Sequence, residues 1–219
     1  MKDTALYPLI RFFGRLVFKP LYRLRSDGAE RVPAEGPVIL AANHASYWDP
    51  VFLQLSVPDR QVRWLMDEDY YNLPVLRWFF RAVGCIPVKN GGGNRRALDA
   101  AVQVLQAGGV VGIFPEGHIS RTGRMDQART GVSLLSARTG AAVVPAYLRG
   151  AMFSWPKGQK LPRLSRVEVR FAEPMRVQGD EPDRAVLRAF ADRLMAEIKG
   201  LFGRGATRIG VAGMEEGER

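Results

Sequence analysis

The feature that most constrains this chain is an alternation, between residues 37 and 148, of short apolar runs with longer segments of helical period. The apolar runs lie at 37–42, 62–66, 85–88, 110–114 and 142–148. Runs this short, without polar alternation, read as strands buried on both faces. Helical patterns fall between them at 50–57, 73–83, 95–107 and 130–138. Glycines close two of these, Gly108-Gly109 and Gly140, and a glycine-rich turn at 89–94 separates two more elements. Helices of this length can serve as crossovers between parallel strands. The pattern predicts an α/β fold with a mainly parallel twisted sheet flanked by helices. A late strand at 167–171 and a final helix at 183–201, after Glu181-Pro182, complete it. The 73–83 helix carries Trp78, Phe79 and Phe80 together. Ordinary core packing is the simpler expectation for them, and a lipid or acyl-chain surface the other.

Before the alternation begins, residues 5–22 have helical period of their own. Leu6, Leu9, Ile10, Phe13, Leu16 and Val17 share one face, and Arg11, Arg15 and Lys19 fall opposite. Two readings stay open. One is an amphipathic helix lying in a membrane interface; the other is a helix docked by its apolar face, with solvated charges. The three cations also interrupt any secretory signal pattern, and no run reaches the ~18 apolar residues that span a bilayer. The expected organisation is therefore an N-terminal interfacial helix at 1–24, one catalytic domain at 25–202 and a Gly- and charge-rich flexible tail at 203–219. A length of 219 residues with 47% hydrophobic content suits one domain with a full core. The net charge of +10 predicts attraction to an anionic partner, unless it serves solubility alone. Cys85 is the only cysteine, so neither an intrachain disulfide nor a cysteine metal cluster can form. Its apolar surroundings, residues 82–88, suit a buried structural thiol.

In open α/β sheets, chemistry collects in the loops after the carboxyl ends of strands. Both histidines of the chain, His44 and His118, stand in such loops. His44 precedes Asp49 by a turn long enough to bring the carboxylate back to one imidazole nitrogen. The pair would fix the tautomer and leave the other nitrogen as a base. Locally, Asp49-Pro50 also reads as a helix N-cap with a first-turn proline. The two roles are compatible if one oxygen caps while the other meets His44. No Gly-x-Ser-x-Gly elbow supplies a protein nucleophile, which leaves a substrate hydroxyl. The second loop runs from Phe114 to Gly123 and offers Glu116, Gly117, His118, Arg121 and Arg124. Its arginines could hold a phosphate, or it could be an exposed turn with solvated side chains.

Asn43-His44-x4-Asp49 followed by Phe114-Pro115-Glu116-Gly117 resembles the glycerolipid acyltransferase family, which includes the 1-acylglycerol-3-phosphate acyltransferases. The resemblance covers about residues 25 to 175. Gly84-Cys85-Ile86-Pro87-Val88-Lys89 is similar to the family's second motif, which ends in a basic residue, and Val144-Pro145 to its fourth. The third motif usually reads Glu-Gly-Thr-Arg-Ser. Here His118 and Ile119 replace Thr-Arg, and arginine arrives later, as Arg121. That run is closer to the acyltransferase part of bifunctional 2-acylglycerophosphoethanolamine acyltransferase/acyl-carrier-protein synthetases. The acceptor headgroup therefore stays open between lysophosphatidic acid and another lysophospholipid.

The resemblance implies a fatty acyl thioester, on CoA or acyl carrier protein, as co-substrate, with no bound cofactor and no metal. It implies His44 as general base, Asp49 as its orienting partner, and Glu116 and Gly117 as acceptor-binding residues. Lys89 and Arg121 would hold the acceptor phosphate. The expected place of work is peripheral, on an anionic membrane at its cytoplasmic face. A metal-dependent hydrolase built on His44, His118, Asp49 and Glu116 is one rival reading, without a recognised ligand spacing. A non-enzymatic basic protein binding anionic lipid is another. No nucleic-acid-binding motif is present.

Overall fold

The computed structural model describes residues 7–89, 94–179 and 183–203. The glycine turn at 90–93, the Glu181-Pro182 start signal and the tail from 204 onward lie outside the described residues. The strands are β1 (Arg25–Asp27), β2 (Val38–Ala42), β3 (Val62–Asp67), β4 (Ile86–Val88), β5 (Val110–Ile113), β6 (Ala142–Arg149) and β7 (Glu168–Phe171). The helices are α1 (Tyr7–Leu21), α2 (Asp49–Ser56), α3 (Glu68–Tyr71), α4 (Arg77–Ala82), α5 (Arg95–Gln106), α6 (Gly131–Thr139) and α7 (Arg184–Gly203). The strands form one sheet in the order β1-β7-β6-β2-β5-β3-β4. From β6 through β4 the neighbours run parallel. β7 is antiparallel to β6, and β1 pairs parallel with β7.

Each residue of β2 is buried. The reason is the period of two: Ile39 and Ala41 join one core layer, while Val38, Leu40 and Ala42 join the other. The first layer lies under α5, α6 and α7, with Leu105, Leu135, Leu194 and Ile198. The second takes Phe52 and Leu53 of α2, Tyr22 and Trp64. Register then sets the site. Val38 is level with both Val110 and Ala142, and Ala41 with both Ile113 and Pro145. The loops after β2, β5 and β6 therefore leave the same sheet edge side by side.

Three local expectations change. The short strand β1 has no apolar signature, because Arg25, Ser26 and Asp27 are all exposed at the sheet edge. The 73–83 helix shrinks to α4, preceded by α3 and a turn that holds Pro74; a residue before proline is steered away from helical backbone. Core packing of the aromatic cluster is overturned for Trp78, which is 65% exposed, and α4 has no buried residue.

α1 has the faces expected of it but docks by the unexpected one. Arg11 is buried against α2, where its Nη2 donates to Val57 O at 2.9 Å and it pairs with Asp59. Tyr7 Oη donates to Arg60 O at 3.0 Å. Solvated charges under an apolar dock are thus contradicted for Arg11, which packs inward, helped by the absence of a side chain at Gly14, which faces Leu55; Arg15 is half-buried and Lys19 is exposed, as a solvated charge should be. Leu9, Phe12, Phe13, Leu16 and Val17 stand 50–62% exposed. Cys85 packs at the edge of the second core layer, and burial pushes its thiol up to about 12, as a structural cysteine requires.

One glycine in the sheet is required by packing. A Cβ on Gly112 would lie 2.3 Å from Trp64 Cε3. Gly112→Ala is expected to lower stability by about 1–3 kcal/mol through overpacking, measured as a lower urea midpoint; an unchanged midpoint would contradict the seat of Trp64 over Gly112.

Candidate active site

The site starts one residue past β2. Asn43 continues the strand with its side chain: Nδ2 donates to Leu148 O at 3.3 Å, and Oδ1 accepts from Leu148 N at 2.8 Å. This fixes where the chain leaves the sheet. The next residue, His44, is held on both sides of its backbone. Its N–H donates to Glu116 Oε1 at 3.1 Å, and its carbonyl accepts from Ser120 N at 2.7 Å. Its ring stacks on Phe114 with centroids 3.8 Å apart and planes 10° from parallel, and Phe114 stacks in turn on Trp64 at 5.2 Å.

Asp49 is fully buried at the first turn of α2. Its Oδ2 accepts from His44 Nδ1 at 2.9 Å, Ala45 N at 2.7 Å and Ser46 N at 2.8 Å. The N-cap reading is corrected here. Trp48 occupies the cap position without a side-chain bond, and the Asp49 carboxylate turns back into the preceding loop. A carboxylate can only accept, so Nδ1 carries the proton in the neutral imidazole and Nε2 keeps its lone pair. The His44 side chain is 15% exposed, so that nitrogen remains within reach of a molecule outside.

The loop after β5 supports this arrangement from the side. Glu116 is buried, with Oε1 on His44 N and Oε2 on Asp126 N at 3.0 Å. Burial raises its carboxyl above the usual range, and the Asp126 and His44 amides pull it partly back. Glu116 therefore ties two loops together, rather than standing open to an acceptor. Gly117 is exposed at φ 74° and lies beside the Arg129 guanidinium, where a Cβ would meet Nε at 2.8 Å. His118 serves its own loop, with Nδ1 on Glu116 O and Nε2 on Asp126 Oδ2 at 3.0 Å. Arg121 is exposed just past Ser120. Lys89 is exposed at the end of β4, three strands from β2, or about 14 Å at the usual strand spacing. The fold thus joins His44, Asp49 and Glu116 directly, sets Gly117 and Arg121 in the adjoining loop, and leaves Lys89 at the far side of the sheet edge.

The four side chains of the metal-hydrolase reading do not converge. Glu116 is engaged by backbone and His118 by Asp126. Among the described residues, no group of three or more His, Cys, Asp or Glu is arranged to hold a metal.

Sequence reasoning missed the loop after β6. Ser46 Oγ bonds Ser154 Oγ at 2.8 Å, and Tyr47 N donates to Trp155 O at 3.0 Å. The rule that drew attention to the loops after β2 and β5 applies equally to this third one. Its bonds also engage the hydroxyl nearest the pair in sequence, since Ser46 Oγ is held by Ser154; in the loop after β5, Ser120 Oγ donates to Arg124 O at 2.8 Å.

The model of the acyltransferase family matches residues 23–149, more than half of the chain and the stretch that builds this site. The chain belongs to the acyltransferase family. Its relatives include a chloroplastic 1-acyl-sn-glycerol-3-phosphate acyltransferase of Arabidopsis thaliana, 26% identical over 69% of this chain and 43% of the plant protein. A 1-acyl-sn-glycerol-3-phosphate acyltransferase of Streptococcus pneumoniae is 22% identical over 74% of this chain and 60% of that protein. The chain spans about half the length of the curated relatives it matches. The fold is shared with the 1-acyl-sn-glycerophosphate acyltransferase of Thermotoga maritima, with a TM-score of 0.75 at 24% identity, covering 90% of this chain and 80% of the other.

Glu116 gives the site a pH signature. Its ordinary value is 4.5 and its folded value is raised, so the folded state holds this proton more tightly than the unfolded chain. Stability from the protonated form is complete below 4.5 and is lost as pH rises through the raised value. The stability of the wild type relative to Glu116→Gln should fall across that interval, measured by urea unfolding at a series of pH values. A difference that stays constant with pH would contradict the burial of the carboxyl.

Proposed function

We propose that this chain transfers a fatty acyl group from an acyl thioester, on CoA or acyl carrier protein, to the glycerol hydroxyl of a lysophospholipid, with His44 as the base. The carrying observation is the open Nε2 of an imidazole whose Nδ1–H is bound to buried Asp49. The acceptor hydroxyl gives its proton to Nε2 while its oxygen attacks the thioester carbonyl. The carbon–sulfur bond then breaks, and the leaving thiolate takes the proton back from the imidazolium. The hydroxyls of Ser46 and Ser120 are bonded elsewhere, which supports an attacking oxygen that belongs to the substrate, without an acyl-enzyme. The plant and streptococcal relatives, both 1-acyl-sn-glycerol-3-phosphate acyltransferases, favour a 1-acyl-sn-glycerol-3-phosphate acceptor, and the absence of Thr-Arg after Gly117 keeps other lysophospholipids in play.

Lysophospholipids reside in bilayers, so the reading includes a peripheral seat on an anionic membrane, at its cytoplasmic face. One observation supports the lipid contact. The apolar face of α1 turns away from the protein while its arginines face inward, the arrangement of a helix that offers its apolar side to lipid. No described helix is long and apolar enough to cross a membrane. Exposed Arg121, Arg124 and Arg129 stand in and beside the Glu116 loop, where they can meet a phosphate; Lys89, at β4, is the outermost of the proposed phosphate contacts.

Incubation with acyl-CoA or acyl carrier protein and a panel of lysolipids, read by mass spectrometry, tests the reading. Diacyl product is expected from at least one lysophospholipid. Loss of the base in His44→Ala is expected to lower the rate by about 10²–10⁴-fold without changing the far-ultraviolet circular dichroism. Near wild-type activity in His44→Ala would overturn the mechanism. Vesicle binding with no thioester consumed would favour the non-enzymatic lipid binder.

A further inference from the structure

The sheet edge that carries His44 also carries a segment with no part in this chemistry. Residues 150–167 connect β6 to β7 and contain Lys157, Lys160, Arg163 and Arg166, with no Asp or Glu. All four cations are exposed. Among them stand Phe153, Leu161 and Leu164, exposed at 54%, 76% and 68%. Single exposed leucines are common on protein surfaces. Three large apolar side chains interleaved with four cations that form no ion pair among the described residues have a more specific complement. Cations meet anionic headgroups while apolar side chains enter the acyl boundary beneath them.

The segment is held in shape rather than left as a loose connection. Arg163 N donates to Ser154 O at 2.6 Å and closes the loop at its base. Trp155 Nε1 donates to Gln159 O at 3.0 Å, and Ser154 Oγ to Ala151 O at 2.5 Å. The same two residues grip the His44–Asp49 loop, through Ser46 Oγ and Tyr47 N. Rings extend the contact. Trp155 lies 4.9 Å from Trp48 and 5.3 Å from Tyr47; Tyr47 lies 5.8 Å from Tyr70 of α3, and Trp48 lies 5.1 Å from Phe18 of α1. A connected row of mostly Tyr and Trp rings, the residues that settle at water–lipid boundaries, therefore runs from α1 across the histidine loop to α3. The 150–167 segment is fastened to its middle.

We propose that residues 153–166 dock on an anionic phospholipid bilayer, and that Ser154 and Trp155 thereby hold the His44–Asp49 loop at headgroup level. The docking stands on the segment's own charge and exposure; only the positioning half rests on the acyl-transfer reading.

Two full-length variants test it, Leu161→Glu/Leu164→Glu and Lys157→Glu/Lys160→Glu/Arg163→Glu, all at exposed positions and checked for an unchanged thermal midpoint. Binding is measured by co-sedimentation with phosphatidylcholine vesicles with and without phosphatidylglycerol. The wild type should prefer the anionic vesicles. The charge-reversed variant should bind them about 100-fold more weakly, and the leucine variant about tenfold more weakly. Acylation of a lysolipid presented in vesicles should fall in step, while a short-chain acceptor dissolved as monomers should react at the wild-type rate. Wild-type sedimentation by both variants overturns the proposal. So does wild-type sedimentation with a raised KM for acyl carrier protein, which would give the cations to an acidic donor protein instead. If the wild type acylates no lysolipid, the acyl-transfer reading fails while sedimentation still decides the docking.

Discussion

Asp49 Oδ2 accepts three hydrogen bonds, from His44 Nδ1 and from the Ala45 and Ser46 amides, all at 2.7–2.9 Å. The rest of the site depends on that atom. The two amides fold the loop back over the carboxylate, so the geometry that satisfies Oδ2 also carries the imidazole to it, while the buried Oδ1 has no hydrogen-bond partner among the described residues. Its position in the first turn of α2, where helix N–H groups are unsatisfied, favours negative charge there. A single oxygen thus anchors a turn and selects a tautomer.

The sheet makes this local arrangement permanent. β2 lies between β6 and β5 in parallel register, so its loop has a neighbour on each side. From β5 come Glu116 and Ser120, which take the two backbone groups of His44, and Phe114, which lies flat against its ring. From β6 come Leu148, which receives Asn43, and Ser154 and Trp155, which brace Ser46 and Tyr47. An imidazole held by backbone, ring stacking and a carboxylate has little freedom left to lose when substrate binds, which is the condition the proposed proton transfer requires.

The strands were legible because a parallel sheet covered on both faces demands uninterrupted apolar runs, and 37–42, 110–114 and 142–148 are such runs. β1 was not, since an exposed edge places no apolar demand on Arg25 to Asp27. The pair His44 and Asp49 was legible by spacing, but the carboxylate's other partners were not. Asp-Pro before a helix carries the local signal of a cap, and only the turn of 44–46 shows which amides compete for it. For Glu116 the missing information was long-range, because the residue it serves, His44, is distant in the chain. α1 illustrates a different limit. Periodicity separates its two faces, yet which face meets the protein depends on Val57 O and Asp59 waiting on the body for Arg11. Trp78 likewise belongs to an apolar cluster whose surroundings, and not its composition, leave it exposed.

The proposed proton transfer turns on which imidazole nitrogen carries the proton, and NMR of the His44 ring nitrogens at neutral pH reads that directly. The structure requires a protonated Nδ1 bonded to Asp49 and an unprotonated, pyridine-type Nε2, with this preference lost in Asp49→Ala. A proton found on Nε2 in the wild type, or a tautomer ratio unchanged by Asp49→Ala, would contradict it.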